Sequence, residues 1–340
     1  MTPERFDSIT SRYGQLRLGL VGDFCLDRYL EIDPSRQEKS IETGLPVHNV
    51  VRVRSQPGAA GTILNNLVAL GIGTIYPVGF CGIDGEGFEL RRALAQKPGA
   101  RLDYFLETEQ RRTFTYCKPL FVVPGRSPAE LSRLDSKNWS PTPDSVQDQL
   151  IADMRAAAAK VDALVVMDQV DSAETGVITR RMLAALGEIS ARRPELMIIA
   201  DSRRSLRNYP RLTLKMNREE LHALTNRGSP MTFPEICKAA SDLAGQQGRA
   251  VFVTLSENGI LGADPSGTIQ HVTVFPIRSD IDIVGAGDAV MANLAAALAA
   301  GASTREAIEL ANAAASIVIH QLGTTGVANP GQLRELLFPK

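Results

Sequence analysis

Asp282-Ile283-Val284-Gly285-Ala286-Gly287-Asp288 runs directly into the apolar stretch Ala289–Ala300. Small residues ahead of a helix start let backbone N–H groups approach an anion closely. The helix N-terminus adds a positive dipole end. Asp288 then falls in the first turn, beside that anion site. A carboxylate placed there could take the proton from a hydroxyl that attacks a phosphoryl group. The same segment also reads as a helix cap without chemistry, and Gly285-Ala286-Gly287 as half of a dinucleotide fingerprint. Val290 holds that fingerprint's third glycine position, and Glu306 and Glu309 miss the spacing of its ribose-binding acid.

A second constellation is Pro57-Gly58-Ala59-Ala60-Gly61-Thr62, again small residues ahead of an apolar pattern, Ile63–Leu70. With Asp23 and Asp27 near the first strand, it could cradle a polyhydroxylated substrate, since carboxylates accept from vicinal hydroxyls. A tight, capped turn is the alternative. The third is Asn217-Arg218-Glu219-Glu220. Asn217 and Glu220, three apart, share a helix face and offer oxygen ligands of the kind Mg²⁺ takes through water, although such pairs are commonly solvated surface. The chain has no Gly-Lys dipeptide, so a P-loop is excluded, and the His-Arg-Asp and Asp-Phe-Gly triplets of protein kinases are absent.

Short apolar runs must position these residues. Leu18–Val21, Ala163–Met167, Leu196–Ala200, Leu212–Met216 and Ala250–Val253 each end at a polar residue: Asp23 one place beyond Gly22, then Asp168, Asp201, Asn217 and Thr254. Runs apolar at every position suit strands buried on both faces. Helical patterns over Val146–Lys160, Glu174–Arg193 and Phe233–Gln246 separate them, which predicts an α/β fold around a mostly parallel sheet. Ligands in such sheets lie beyond the carboxyl ends of the strands. Leu45–Arg54 and Arg112–Val123 are β-rich with no helix nearby and predict a smaller sheet that could act as a lid.

The charges, 37 basic against 38 acidic, give a net −1 and no basic footprint for nucleic acid. Cys25, Cys81, Cys117 and Cys237 have no metal-like spacing, and neither do His48, His222, His271 and His320. The longest apolar stretch, Ala289–Ala302, is too short to span a membrane, and Met1–Gln15 lacks the apolar core of a secretory signal. The expectation is a cytoplasmic protein without membrane or nucleic-acid partners.

From about residue 16 to 337 the chain resembles the ribokinase-like, or phosphofructokinase-B, family of sugar kinases. Asp282–Asp288 matches the signature Asp-Thr-x-Gly-Ala-Gly-Asp except at Ile283, and Pro57–Gly71 matches the glycine-rich signature more loosely. Val21–Tyr29, Thr254-Leu255-Ser256-Glu257-x-Gly259 and Leu322-Gly323-Thr324 look similar to the heptose-7-phosphate kinase branch. The resemblance implies a three-layer α/β sandwich with a small β lid, its strands near 43–56 and 112–123. It implies transfer of the ATP γ-phosphoryl to a hydroxyl of a sugar or sugar phosphate. Asp288 would be the base, and Gly285, Ala286 and Gly287 the anion hole. Asp282 would help hold a monovalent cation such as K⁺. Asn217 and Glu220 would be tied to Mg²⁺, and Thr254, Ser256, Gly259 and Asn312 would line the nucleotide site. Asp23, Asp27, Gly58 and Asn66 would face the sugar. Lys118, with Arg112, Arg133 and Arg203, is a candidate for a distal phosphate.

Relatives of this kind pair through the lid, so a homodimer is expected. Thr62 stands where the family has a substrate-contacting Asn, and Ala289-Val290 where Ser/Thr-Phe is commoner. No nucleotidyltransferase segment follows, so a fused kinase–cytidylyltransferase is not expected. Two other readings stay open: a catalytically silent sugar- or nucleotide-binding relative, and a nicotinamide-dependent oxidoreductase.

Overall fold

Apolar runs that bury both faces need layers on both sides, and the chain supplies them. The computed structural model describes residues 1–226 and 231–339. In chain order the strands are β1 (Arg17–Gly22), β2 (Phe24–Ile32), β3 (Glu38–Lys39), β4 (Pro46–Val47), β5 (Val50–Ala59), β6 (Thr74–Gly82), β7 (Phe105–Thr108), β8 (Phe114–Phe121), β9 (Ala129–Glu130), β10 (Ala163–Asp168), β11 (Met197–Ser202), β12 (Thr213–Asn217), β13 (Val251–Thr254), β14 (Ile260–Ala263) and β15 (Ile269–Val272). The α-helices are α1 (Pro3–Thr10), α2 (Ala60–Ala69), α3 (Gly85–Ala95), α4 (Asp144–Ala158), α5 (Arg180–Arg192), α6 (Arg218–Thr225), α7 (Phe233–Gln247), α8 (Ala286–Ala299), α9 (Thr304–Val318) and α10 (Pro330–Leu337).

The large sheet has the order β15-β14-β13-β12-β11-β10-β1-β6-β7, parallel from β7 through β13, with β14 and β15 antiparallel at one end. Side chains alternate between two cores. Leu18, Leu20, Ala163 and Val165 pack with α1, α2, α8, α9 and α10 on one face. Leu164, Val166, Ile198 and Ala200 pack with α4 to α7 on the other. Helix α8 is buried around its circumference from Ala289 to Ala297. It is therefore an interior helix, whose alanines let α2 and α9 come close. Among the described residues no helix is long and apolar enough to cross a membrane.

Five neighbouring parallel strands, β1, β10, β11, β12 and β13, bring Asp23, Asp168, Asp201, Asn217 and Thr254 to one edge of the sheet. A second sheet, β5-β2-β8-β9, stands over that edge. Its central strand β2 continues β1 after the single residue Asp23, whereas sequence patterning pointed only to the segments around β5 and β8. A strand that leaves one sheet and enters another keeps its apolar character, so composition does not mark the transition. Helix α5 starts at Arg180 rather than Glu174, because Thr179 caps it and residues 169–177 form a loop wrapped on Asp23.

Ala59 caps α2 with φ 55° and ψ −119°, a conformation suited to glycine. Ala59→Gly should relieve that strain and raise stability by about 1 kcal/mol, read as a higher urea midpoint at unchanged slope.

Candidate active site

The loop into α8 is built by Asp282. Its Oδ1 accepts from Val284 N–H at 3.0 Å, its Oδ2 from Gly323 N–H at 3.4 Å, and its own N–H donates to Ile319 O at 2.7 Å. Gly285 turns the chain into the helix with φ +85°, a left-handed value that a side chain would oppose. The N–H of Ala286 is committed to Ile283 O at 3.2 Å. Of the three amides expected to face an anion, that one is engaged within the loop. Among the described residues the Gly285 and Gly287 N–H groups have no protein acceptor, and both residues keep contact with solvent.

Asp288 follows in the first turn of α8. It retains a partial opening to solvent, while most of its surroundings are protein. Burial, together with the Asp201 and Asp27 carboxylates, pushes it up to about 7, against the pull of the Lys215 ammonium. Lys215, on β12, was not singled out from the sequence. It lies in an apolar run, where a lysine reads as an edge residue, yet it is buried with Nζ 2.6 Å from Asp201 Oδ2. A Cβ built on Gly287 would lie 3.4 Å from that Nζ, which puts the cation against the anion loop. Burial alone would lower the lysine's pKa. Asp201, with Glu220 and Asp288 beyond it, holds it above its ordinary value.

Register defines the lid face turned to this edge. Gly58, Gln56 and Arg54 on β5 pair with Cys25, Asp27 and Tyr29 on β2, which pair with Phe114, Tyr116 and Lys118 on β8. Gly58 has no room for a side chain: its Cβ would meet Asp27 Oδ2 at 2.6 Å and Cys25 Sγ at 2.7 Å. Burial raises the pKa of Asp27, opposed by Lys118 and Arg133. Lys118 Nζ is 3.8 Å from Asp27 Oδ1 and 5.0 Å from the Tyr29 ring centre. Arg133 lies over Tyr116 at 4.9 Å, and Arg203 sits 3.6 Å from Asp171. Arg112 is exposed, its backbone held by Asn138.

Two residues expected at the sugar are buried and engaged within the protein. The carboxylate of Asp23 is buried and accepts backbone N–H groups from Gln169 at 2.8 Å, Val170 at 3.2 Å and Val177 at 2.7 Å. It is a strut under the loop, because a buried carboxylate must satisfy its oxygens locally. Asn66 is fully buried inside α2 and donates to Thr62 O at 3.0 Å.

On the other side of Lys215, Asn217 and Glu220 form a reciprocal capping box at the start of α6: Glu220 N–H donates to Asn217 Oδ1 at 2.8 Å, and Asn217 N–H to Glu220 Oε2 at 2.7 Å. Burial and Asp201 raise the pKa of Glu220. Thr254 pairs with Asn217 across β12 and β13. Ser256 is exposed, and Gly259 is pressed against β15, where a Cβ would fall 1.9 Å from Val272 O. Asn312 is buried and donates to Thr273 O at 2.8 Å. No cluster of three or more His, Cys, Asp or Glu side chains forms a metal site among the described residues.

The pfkB family carbohydrate kinase profile matches residues 24–330. The chain belongs to that family. The family is one of carbohydrate kinases, which are phosphotransferases with an alcohol group as acceptor. The dinucleotide reading of Gly285-Ala286-Gly287 falls with this. A dinucleotide fingerprint must leave a strand directly, and the preceding strand here, β15, ends at Val272.

Relatives include the bifunctional protein HldE of Bradyrhizobium sp. (strain ORS 278), 31% identical over 98% of this chain and 66% of that protein. The HldE of Rhodospirillum rubrum is 32% identical over 94% of this chain and 62% of that protein. The chain thus spans less than two thirds of the length of these relatives. Arabidopsis thaliana ribokinase, solved with ribose and ATP, has the same fold: TM-score 0.69, 19% identity, 96% of this chain and 99% of that chain. So does Escherichia coli phosphofructokinase-2, solved with potassium: TM-score 0.70, 19% identity, 94% and 98%.

Removing Asp201's charge would leave Lys215 buried and unpaired. Asp201→Asn should lower the unfolding free energy by about 3–5 kcal/mol, and adding Lys215→Met should recover much of that loss in the same denaturation experiment.

Proposed function

We propose that the protein transfers the γ-phosphoryl of ATP to a hydroxyl of a sugar or sugar phosphate, in the manner of a heptose-7-phosphate kinase. The observation that carries this reading is the meeting of Asp288, Lys215 and the open Gly287 amide beneath the Asp27 face of the lid. Asp27 orients the acceptor against Gly58. Asp288 removes the hydroxyl proton as the oxygen attacks the γ-phosphorus. The Gly285 and Gly287 amides, the α8 dipole and Lys215 stabilise charge on the transferring group. Lys118 and Arg133 are suited to a phosphate at the acceptor's far end.

Asn217 and Glu220 would hold Mg²⁺ through water, and bound Mg²⁺ neutralises phosphate charge. Asp282 and the 319–323 turn would hold K⁺ behind the loop. The outward face of β5, with Val51 and Val53 exposed, supports pairing of two copies through the lid. A catalytically silent relative remains the second reading, but the charged groups around Asp288 favour turnover.

The test is ADP release and acceptor phosphorylation from ATP, with Mg²⁺ and K⁺, over a panel of free sugars and sugar phosphates. Turnover with one acceptor, reduced about 10²–10⁴-fold by Asp288→Asn, supports the reading; ligand binding without any transfer supports the silent relative. Because the base must be ionised and Asp288 sits at about 7, kcat/KM should fall as pH drops below about 7 and level off above it, and the Asn variant should lose this limb.

A further inference from the structure

We infer that Gln56 and Thr325 form a latch that holds the lid over the transfer loop, a positioning role that rests on the kinase reading above. Gln56 lies on the lid face turned to the sheet edge, paired in register with Asp27. Its Nε2 donates to Thr325 Oγ1 at 2.9 Å across 269 residues of chain. Thr325 in turn packs over the anion loop: a Cβ on Gly285 would lie 3.3 Å from Thr325 Cβ. The turn that carries Thr325 also supplies the Gly323 N–H that reaches Asp282. One hydrogen bond therefore ties the strand beside the acceptor carboxylate to the loop that carries the anion amides.

Other polar ties of the lid run to different places, among them α2, where Asn65 Nδ2 donates to Pro57 O at 3.4 Å, and α3. Arg28 reaches Glu89 at 2.8 Å and Ser55 Oγ reaches Glu89 at 2.7 Å, both on α3. Among the described residues, Gln56–Thr325 is the one side-chain hydrogen bond that joins the lid sheet to residues 250–339. Ser55 and Gln56 are successive residues of β5, so their side chains leave opposite faces of the lid, and the α3 contacts brace the face turned away from the transfer loop. The latch acts on the face turned to the transfer loop, near the junction of β5 with α2, where closure excludes water from the reacting groups. Both partners are half-buried, so the bond can open for acceptor entry at modest cost and reform behind it.

Neither residue touches the reacting atoms in this assignment, so the readouts must separate positioning from folding. Gln56→Met and Thr325→Val each remove the bond with similar volume, and Thr325→Ser keeps the hydroxyl. The latch predicts that each of the first two raises acceptor KM and the ratio of ADP formed to acceptor phosphorylated by about two- to tenfold, the scale of one neutral hydrogen bond. It predicts that the double variant is no worse than either single one and that Thr325→Ser behaves as wild type. In the ligand-free protein, hydrogen exchange over both 50–59 and 321–327 should quicken in either single variant.

Unchanged exchange in both segments would overturn the latch. So would a silent Thr325→Val beside a Gln56→Met that raises KM, because Gln56 would then act on the acceptor itself. If the wild-type protein phosphorylates no acceptor, the kinase reading fails, and the exchange experiment still decides the latch.

Discussion

A lysine buried among carboxylates sets the terms at the edge of this sheet. Lys215 enters an apolar layer that would strip its charge, and Asp201 at 2.6 Å keeps it ionised. Removing one partner of such a pair leaves an uncompensated charge, so the two stand or fall together. The cation then serves a third group. Asp288 is crowded by burial and by two further carboxylates, and Lys215 is the group that opposes them. A carboxylate held at about 7 is still a usable base near neutrality and takes a proton more readily than an ordinary aspartate.

The rest of the architecture brings acceptor and donor groups to that point. Strand β1 ends the parallel sheet and β2 begins the lid with only Asp23 between them. Asp23 fixes the junction by drawing three backbone amides of the 169–177 loop onto its carboxylate. The lid strand therefore leaves the sheet at a fixed place and carries Asp27 over α8. From the opposite side, the fully buried α8 presents the anion loop at its N-terminus. Rigid elements thus position Asp288, Lys215 and Asp27 around one point, and one side-chain hydrogen bond, Gln56 to Thr325, joins the lid sheet to the turn beside the α8 loop.

Much of this was legible in the sequence because it rests on period and composition. The five apolar runs became five neighbouring parallel strands, and the polar residues after them share one edge. The glycine-rich turn at 285–287 marked the start of α8. What the sequence did not make legible has physical reasons. Asp23 and Asn66 have residue types suited to a sugar, but side-chain direction is set by packing, and both turn inward. Asn217 and Glu220 form a helix cap as well, because the same spacing serves that demand and the proposed one. Lys215 gave no signal, since its partner lies on another strand and only the fold brings them together. The Gln56–Thr325 contact spans 269 residues and belongs to the same class.

The most direct measurement is the pH dependence of kcat/KM in wild type and Lys215→Met. If Lys215 holds Asp288 down, removing the cation should shift the acid limb upward by about one to three pH units, the effect of losing a nearby opposite charge. A limb that stays near pH 7 in the variant would contradict the account, because the base would then be tuned by something other than the buried lysine.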